Sequence, residues 1–200
     1  MSNHPPAGEN SVFTRKISFQ PLSEKNWNHF EKLFGHNGAC GGCWCMYWRL
    51  HRKEYEVSKG EGNKTQMRQL IRGEVAPGVL MFLGKEAIGW SAVAPRESFP
   101  VLENSRVLKR VDARAVWSVV CFFIAKEYRR HGFTQPFLEY LIHYCRNKGA
   151  SIIEAYPLEV PSKNYPVVFA HIGFSSIFKK AGFKEVERRS PTRPIMRYFL

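Results

Sequence analysis

Apolar residues recur along the chain with two different periods, and the points where the period changes divide it into elements. Residues 15–21 (RKISFQP) alternate as a half-buried strand does. From Ser23, a helix cap, the apolar positions Trp27, Phe30, Leu33 and Phe34 fall on one helical face that Gly35 ends. Asn63, with Gln66 three residues later, resembles a capping box that opens a short helix burying Met67, Leu70 and Ile71 before Gly73. Residues 78–83 and 87–93 are strand-like runs flanking Gly84-Lys85-Glu86, which suits an antiparallel hairpin. A loop is expected over 95–112. Residues 115–124 (AVWSVVCFFI) are dense in β-branched and aromatic side chains, which predicts a strand in the middle of a sheet. The helical period then returns with Pro136 in the first turn, Phe137, Leu138, Leu141, Ile142 and Cys145 on one stripe, and Gly149 at the end. A strand over 151–156, a loop through Pro161 and Pro166, a helix over 175–181 and a last strand or hairpin ending in 195–200 complete the pattern. The fold class this predicts is α+β, a mixed sheet with helices on both faces.

Length and charge narrow the picture. Two hundred residues, 44% of them hydrophobic, suffice for one substantial core. The expected organisation is a flexible tail over 1–12 and a single domain over 13–200. The polar opening carries neither a signal-peptide pattern nor a cleavage site, and no apolar run approaches the roughly 20 residues that span a bilayer. Five cysteines, an odd number spread over the chain, fit reduced thiols in the cytoplasm better than a disulfide framework. Thirty Lys and Arg against seventeen Asp and Glu leave a net charge of +13, which favours an anionic partner: nucleic acid, acidic lipid or a phosphorylated cofactor.

Chemistry concentrates between the central strand and the following helix, in the basic turn Lys126-Glu127-Tyr128-Arg129-Arg130-His131-Gly132-Phe133-Thr134. Amides at a helix N-terminus converge on one point and the helix dipole adds about half a positive charge there, so such a turn can hold a diphosphate through main-chain groups. Gly132 permits close approach, and Arg129, Arg130 and His131 add positive potential. Taken alone, R-x-x-G is a basic turn before a helix; its place in a strand–turn–helix–strand unit gives it more weight.

With that context, residues 116–159 and the C-terminal helix resemble the GNAT superfamily of N-acetyltransferases, which carries R/Q-x-x-G-x-G/A. Arg129 and Gly132 match that motif, whereas Thr134 replaces the usual Gly or Ala and has a hydroxyl able to donate to a phosphate. The resemblance implies a mostly antiparallel sheet and acetyl-CoA as co-substrate. It also implies a fourth strand whose backbone at Cys121, Phe122, Phe123 and Ile124 meets the pantetheine arm, and a parted pair of strands formed by 115–124 and 151–156. Gly173 to Phe183 resembles the family's last helix, with Ser176 and Phe178 on the cofactor side and Phe178 where a tyrosine often protonates the leaving thiolate. A phenyl ring cannot do that.

The implied reaction is direct attack of an amine on the thioester, with a backbone amide near Phe123 holding the oxyanion. Where some members carry a glutamate base, this chain has Ser118. Glu154 and His171 are therefore the candidate bases, and Ser175 or Ser176 the candidate proton donors, although serine at a helix start is also an ordinary cap.

The stretch His36 to Trp48 is rich in cysteine and aromatic residues. Cys40, Cys43 and Cys45, flanked by His36 and His51, admit a zinc reading, but a second Cys-x-x-Cys is missing and no metal is assigned. A redox pair, core packing and an acceptor wall made of Trp44, Met46, Tyr47 and Trp48 remain open. The expected partner is a small-molecule or peptide amine, with a homodimer left open. A coenzyme-A-binding sensor or inactive homologue is the alternative, and a basic nucleic-acid-binding protein a weaker one, because no nucleic-acid signature accompanies the charge.

Overall fold

The computed structural model describes residues 17–73, 75–159 and 173–200. Strand β1 is Ile17–Pro21; a single 3-10 turn, Glu24–Asn26, leads into α1, Trp27–Phe34. The Ser23 amide donates to Asn26 Oδ1 at 2.8 Å, which fixes the start of this unit, and α1 buries Trp27, Phe30 and Phe34. Two helices follow, α2 (Arg52–Val57) and α3 (Glu61–Leu70), and then β2 (Val79–Leu83) and β3 (Glu86–Pro95). Next come β4 (Trp117–Ile124), α4 (Thr134–Asn147), β5 (Ile152–Ala155), α5 (Ser175–Lys180), β6 (Lys184–Arg188) and β7 (Pro194–Phe199).

The seven strands form one sheet in the order β1-β2-β3-β4-β5-β7-β6, antiparallel throughout except for the parallel pair β4–β5 that α4 connects. One face packs on α1 and the 44–71 region through Trp27, Phe30, Trp44, Met67 and Trp90. The other packs on α4 and α5 through Phe137, Leu141, Cys145 and Phe178. An α+β mixed sheet with helices on both faces is what the sequence pattern predicts.

Several local expectations need correction. Asn63 does not cap α3: Gly60 holds that position, and Asn63 is fully buried with Nδ2 donating to the Gly42 carbonyl at 2.9 Å. Leu70 is only half-buried. Helix α2 was not expected, because Tyr55 is its only buried residue and six residues give no periodic stripe. The expected strand starting at Arg15 and the tail over 1–12 reach outside the described residues, as does the loop through Pro161 and Pro166. Inside the expected 95–112 loop the backbone makes two 3-10 turns, Arg96–Ser98 and Pro100–Leu102.

The feature that positions the site is in β4. Ala92 faces Cys121 and Val93 faces Val119, so Val120 is the extra residue of a β-bulge. Val120 and Cys121 consequently pack toward the same face. The pairing with β5 covers only Trp117↔Ile153, Ser118↔Glu154 and Val119↔Ala155, while β4 runs on to Ile124. Past the bulge, β4 has β3 on one side and, among the described residues, no paired strand on the other.

Candidate active site

Against this unpaired stretch of β4 lies a cavity of about 410 Å³. Its walls are Cys121–Ile124 and Arg129 on one side and, on the other, residues from the segment after α1 and from α2, including Cys43, Cys45, Tyr47, Trp48 and Tyr55. No carboxylate and no histidine among the described residues lines it. Arg129 braces the end of β4: its Nε donates to the Ile124 carbonyl at 2.8 Å, and its guanidinium lies 5.8 Å from the Phe123 ring centre.

The turn that follows β4 is built for close approach. Arg130 and Gly132 have φ of +67° and +80°, and Arg130, His131 and Gly132 are exposed. A Cβ at Gly132 would meet nothing within 4 Å, so it is the left-handed backbone, not crowding, that favours glycine there. Phe133 is buried against α4's core face, which anchors the turn, and Thr134 is the first residue of α4. A 14-residue helix therefore aims its N-terminus at an open turn next to the free end of β4.

The wall opposite β4 is held in an unusual conformation. Ala39, Trp44 and Cys45 have positive φ, as do Gly38, Gly41 and Gly42. A Cβ at Gly38 would sit 2.6 Å from Trp44 Nε1, and one at Gly42 2.4 Å from the Gly60 amide nitrogen, so both glycines are sterically required. Asn63 ties this segment to α3 through the Gly42 carbonyl.

On the other side of the bulge, the same face of the sheet carries a buried ionic network. Glu154 is fully buried; Oε1 accepts from Arg96 Nη1 at 2.8 Å and from the Tyr156 hydroxyl at 2.7 Å, and Oε2 accepts from Arg197 Nε at 2.7 Å. Arg197 also forks onto Asp112 at 2.7 and 3.2 Å, and Arg96 Nη2 reaches the Leu108 carbonyl. The single Tyr156 proton goes to Glu154, so the Ser118 hydroxyl, 2.8 Å away, donates to Tyr156. Burial, together with the Glu154 charge, pushes the Tyr156 phenol well above its ordinary value, and it stays a donor. Hydrogen bonds from Arg197 and then Arg114 hold the Asp112 carboxyl well below the usual carboxylate range. Arg197 is raised: burial opposes its charge, but the bonds to Asp112 and Glu154 outweigh that.

The model of the acetyltransferase (GNAT) family matches residues 44–174, about two thirds of the chain. The chain belongs to the GNAT acetyltransferase family. Solved structures of similar fold include the PaiA N-acetyltransferase of Thermoplasma acidophilum in complex with coenzyme A (TM-score 0.52, 13% identity, 92% of this chain and 99% of that one). A GNAT-family acetyltransferase of Listeria monocytogenes gives a TM-score of 0.56 at 6% identity over 92% and 95% of the two chains. An acetyltransferase of Thermus thermophilus gives 0.52 at 15% identity over 92% and 97%. No curated protein matches the chain by sequence.

Within this GNAT fold the sequence candidates separate. Phe122, Phe123, Ile124 and Arg129 line the cavity, as do Tyr47 and Trp48. Trp44 and Met46 do not: both are 2% exposed, and Trp44 stacks on Phe34 with ring centres 5.7 Å apart in the core. Phe178 is buried on the α4 face, edge-on to Phe183 at 5.2 Å, and is not part of the cavity wall. Ser176 is exposed. Ser175 does not cap α5, since Phe174 holds that position; its hydroxyl donates to Glu159 Oε1 at 3.2 Å. His171 lies outside the described residues. Among the described residues no group of three or more His, Cys, Asp or Glu is placed to hold a metal ion, and no helix is long and apolar enough to cross a membrane. Sequence reasoning missed Tyr55 as a cavity residue, because a six-residue helix gives no periodic signal. Cys121 belongs to the strand segment expected to meet the pantetheine arm, and it lines the cavity with the rest of that segment.

Proposed function

We propose that this single domain, residues 13–200, transfers an acetyl group from acetyl-CoA to the primary amine of a small molecule or peptide by direct attack on the thioester. The observation that carries the reading is the early end of the β4–β5 ladder, with the cavity lying against Cys121–Ile124. An extended pantetheine arm pairs with this open backbone as an added strand would. The diphosphate meets the amides of the turn around Gly132 and the first residues of α4, with Arg130 and His131 adding charge and the Thr134 hydroxyl a further donor. A backbone amide near Phe123 takes the oxyanion, and Tyr47, Trp48 and Tyr55 wall the acceptor.

The buried network takes Glu154 out of the base role, since both of its oxygens are held by guanidinium groups. The bond to Glu159 likewise argues against Ser175 as acid. Five free cysteines are consistent with action in the cytoplasm.

Calorimetry with acetyl-CoA, followed by thiol release across a panel of amines, tests the proposal. Binding with turnover on at least one amine is expected. Ser118 at the position of the family's glutamate and Phe178 at that of its tyrosine favour a second reading, a coenzyme-A-binding homologue without activity; binding with no turnover across the panel would select it.

A further inference from the structure

Direct transfer needs a group that takes protons from the amine and returns one to the departing sulfur, and the familiar positions cannot do so here. Ser118 is bonded to Tyr156, Glu154 to two arginines, and Phe178 is buried on the opposite face of the sheet. What the cavity does have is thiols: Cys40, Cys43, Cys45 and Cys121 all line it. Resting on the transferase reading above, we propose that Cys45 is the acid–base residue of the transfer, acting on the acceptor amine and then on the coenzyme A sulfur.

Cys45 differs from the other three in what surrounds it. It sits in the cavity wall at φ +59°, directly after Trp44 at φ +44°, two adjacent left-handed residues without glycine. Such strain persists only where the surroundings enforce it, and it collects at working sites. Trp90, on β3, is fully buried, and its indole N–H, which finds no oxygen or nitrogen acceptor, is left to the Cys45 sulfur. Arg49 is anchored by bonds to the Pro77 and Ser98 carbonyls and stacks 4.4 Å from the Phe99 ring centre, yet its buried Nε has no acceptor. Buried donors without an oxygen or nitrogen acceptor are better stabilised by a sulfur anion than by a neutral thiol.

The electrostatics agree with the geometry. The Cys121 thiol from β4, then Trp90 and the Arg49 charge draw Cys45 below the ordinary thiol value against the opposition of burial. Burial pulls Arg49 down to about 10, which leaves it charged near neutrality. Its bond to Cys45 pushes Cys121 well up, and burial followed by the Cys45 charge raises Cys43, so both stay protonated. Burial, then Cys43, raises the Tyr55 phenol from α2. Among the groups facing the sulfur, Cys45 alone is drawn toward its anion.

The proton count closes. The acceptor ammonium loses two protons over the cycle. Cys45 takes the first as its S–H bond forms; the amine then attacks, and the C–N bond forms. As the C–S bond breaks, Cys45 passes that proton to the coenzyme A sulfur. It takes the second from the acylated nitrogen and releases it to water, regenerating the thiolate.

The test uses the full chain with acetyl-CoA and an amine found active in the panel. Cys45→Ala and Cys45→Ser are expected to bind acetyl-CoA within about 3-fold of the unaltered protein and to lose turnover by ~10²–10³-fold. Without any variant, the rate of Cys45 alkylation by iodoacetamide, followed by peptide mass spectrometry, is expected to rise at lower pH than that of Cys43 and to slow when acetyl-CoA is bound. The same titration should appear as the acidic limb of the pH–kcat profile. Full turnover by Cys45→Ala, an ordinary Cys45 titration, or build-up of an S-acetyl group on Cys45 with acetyl-CoA alone would each overturn the proposal. Absence of acetyl-CoA binding by the unaltered protein would instead overturn the transferase reading beneath it.

Discussion

The two halves of β4 share a strand and a face of the sheet and differ in one respect: whether β5 pairs with them. Before the bulge, Ser118 faces Glu154 on β5, and every oxygen of the buried carboxylate has a donor. After it, Cys121–Ile124 has lost β5, and a cavity lined by the thiols of Cys40, Cys43, Cys45 and Cys121 takes its place. A closed network of ions holds a fold in register, whereas an open edge beside a cavity is prepared for something that arrives. One inserted residue, Val120, separates the two.

The largest effect is expected where the satisfied half is broken. Glu154→Gln leaves Arg96 and Arg197 facing a neutral amide in the core and is predicted to cost about 3–5 kcal/mol in urea unfolding. The protein that remains folded should bind acetyl-CoA with unchanged affinity; a stability loss under 1 kcal/mol would show that the network contributes little.

On the open half the order of effects reverses. Arg129→Glu and Gly132→Asp place negative charge at the turn, and each is predicted to weaken acetyl-CoA binding by at least about 10-fold, or ~1.4 kcal/mol. Each should cost ~1 kcal/mol of stability or less. Unchanged affinity in both would remove the turn from the binding site.

Asn63→Ala removes one of the two bonds that tie the cavity's outer wall to α3 and leaves the Gly42 carbonyl with the Gly60 amide as its donor. A loss of ~1–2 kcal/mol is expected, together with faster hydrogen exchange across 38–45. A change confined to α3 would mean that the wall holds itself.

The smallest effect distinguishes the halves by pH. Asp112 is depressed by Arg197, so its contribution is present above the ordinary carboxylate value of about 4 and is lost as pH falls from there through its folded value. Unfolding midpoints should therefore be flat with respect to this group between pH 7 and about 5 and fall below ~4. Asp112→Asn should flatten that fall, and an unaltered acid limb would contradict the assignment.

Much of the fold was legible because its signals are local. The strand-like runs 78–83 and 87–93 around Gly84-Lys85-Glu86 and the apolar run 115–124 gave the central strands, and the stripe from Phe137 to Cys145 gave α4. The Arg129–Gly132 turn was visible as well, since glycine and basic residues stand where strand becomes helix. What depends on contacts distant in sequence was not legible. Nothing in the string SIIEAYP or PIMRYF announces that Glu154 and Arg197 meet in adjacent strands, although a charge inside each apolar run was the available hint. The bulge at Val120 was equally hidden, because it moves Cys121 across the sheet without altering the apolar pattern. Trp44 and Met46, read as acceptor wall, are core residues, since φ values of +44° and +59° at Trp44 and Cys45 turn the chain in a way that periodicity cannot express.

The central claim is that the β4 edge released by the bulge receives the thioester arm of acetyl-CoA. A crystal structure of the protein soaked with coenzyme A tests it most directly. The account predicts the pantetheine chain hydrogen-bonded along Cys121–Ile124 with the diphosphate against the amides at 130–134. Coenzyme A bound elsewhere, with that edge and turn unoccupied, would contradict it.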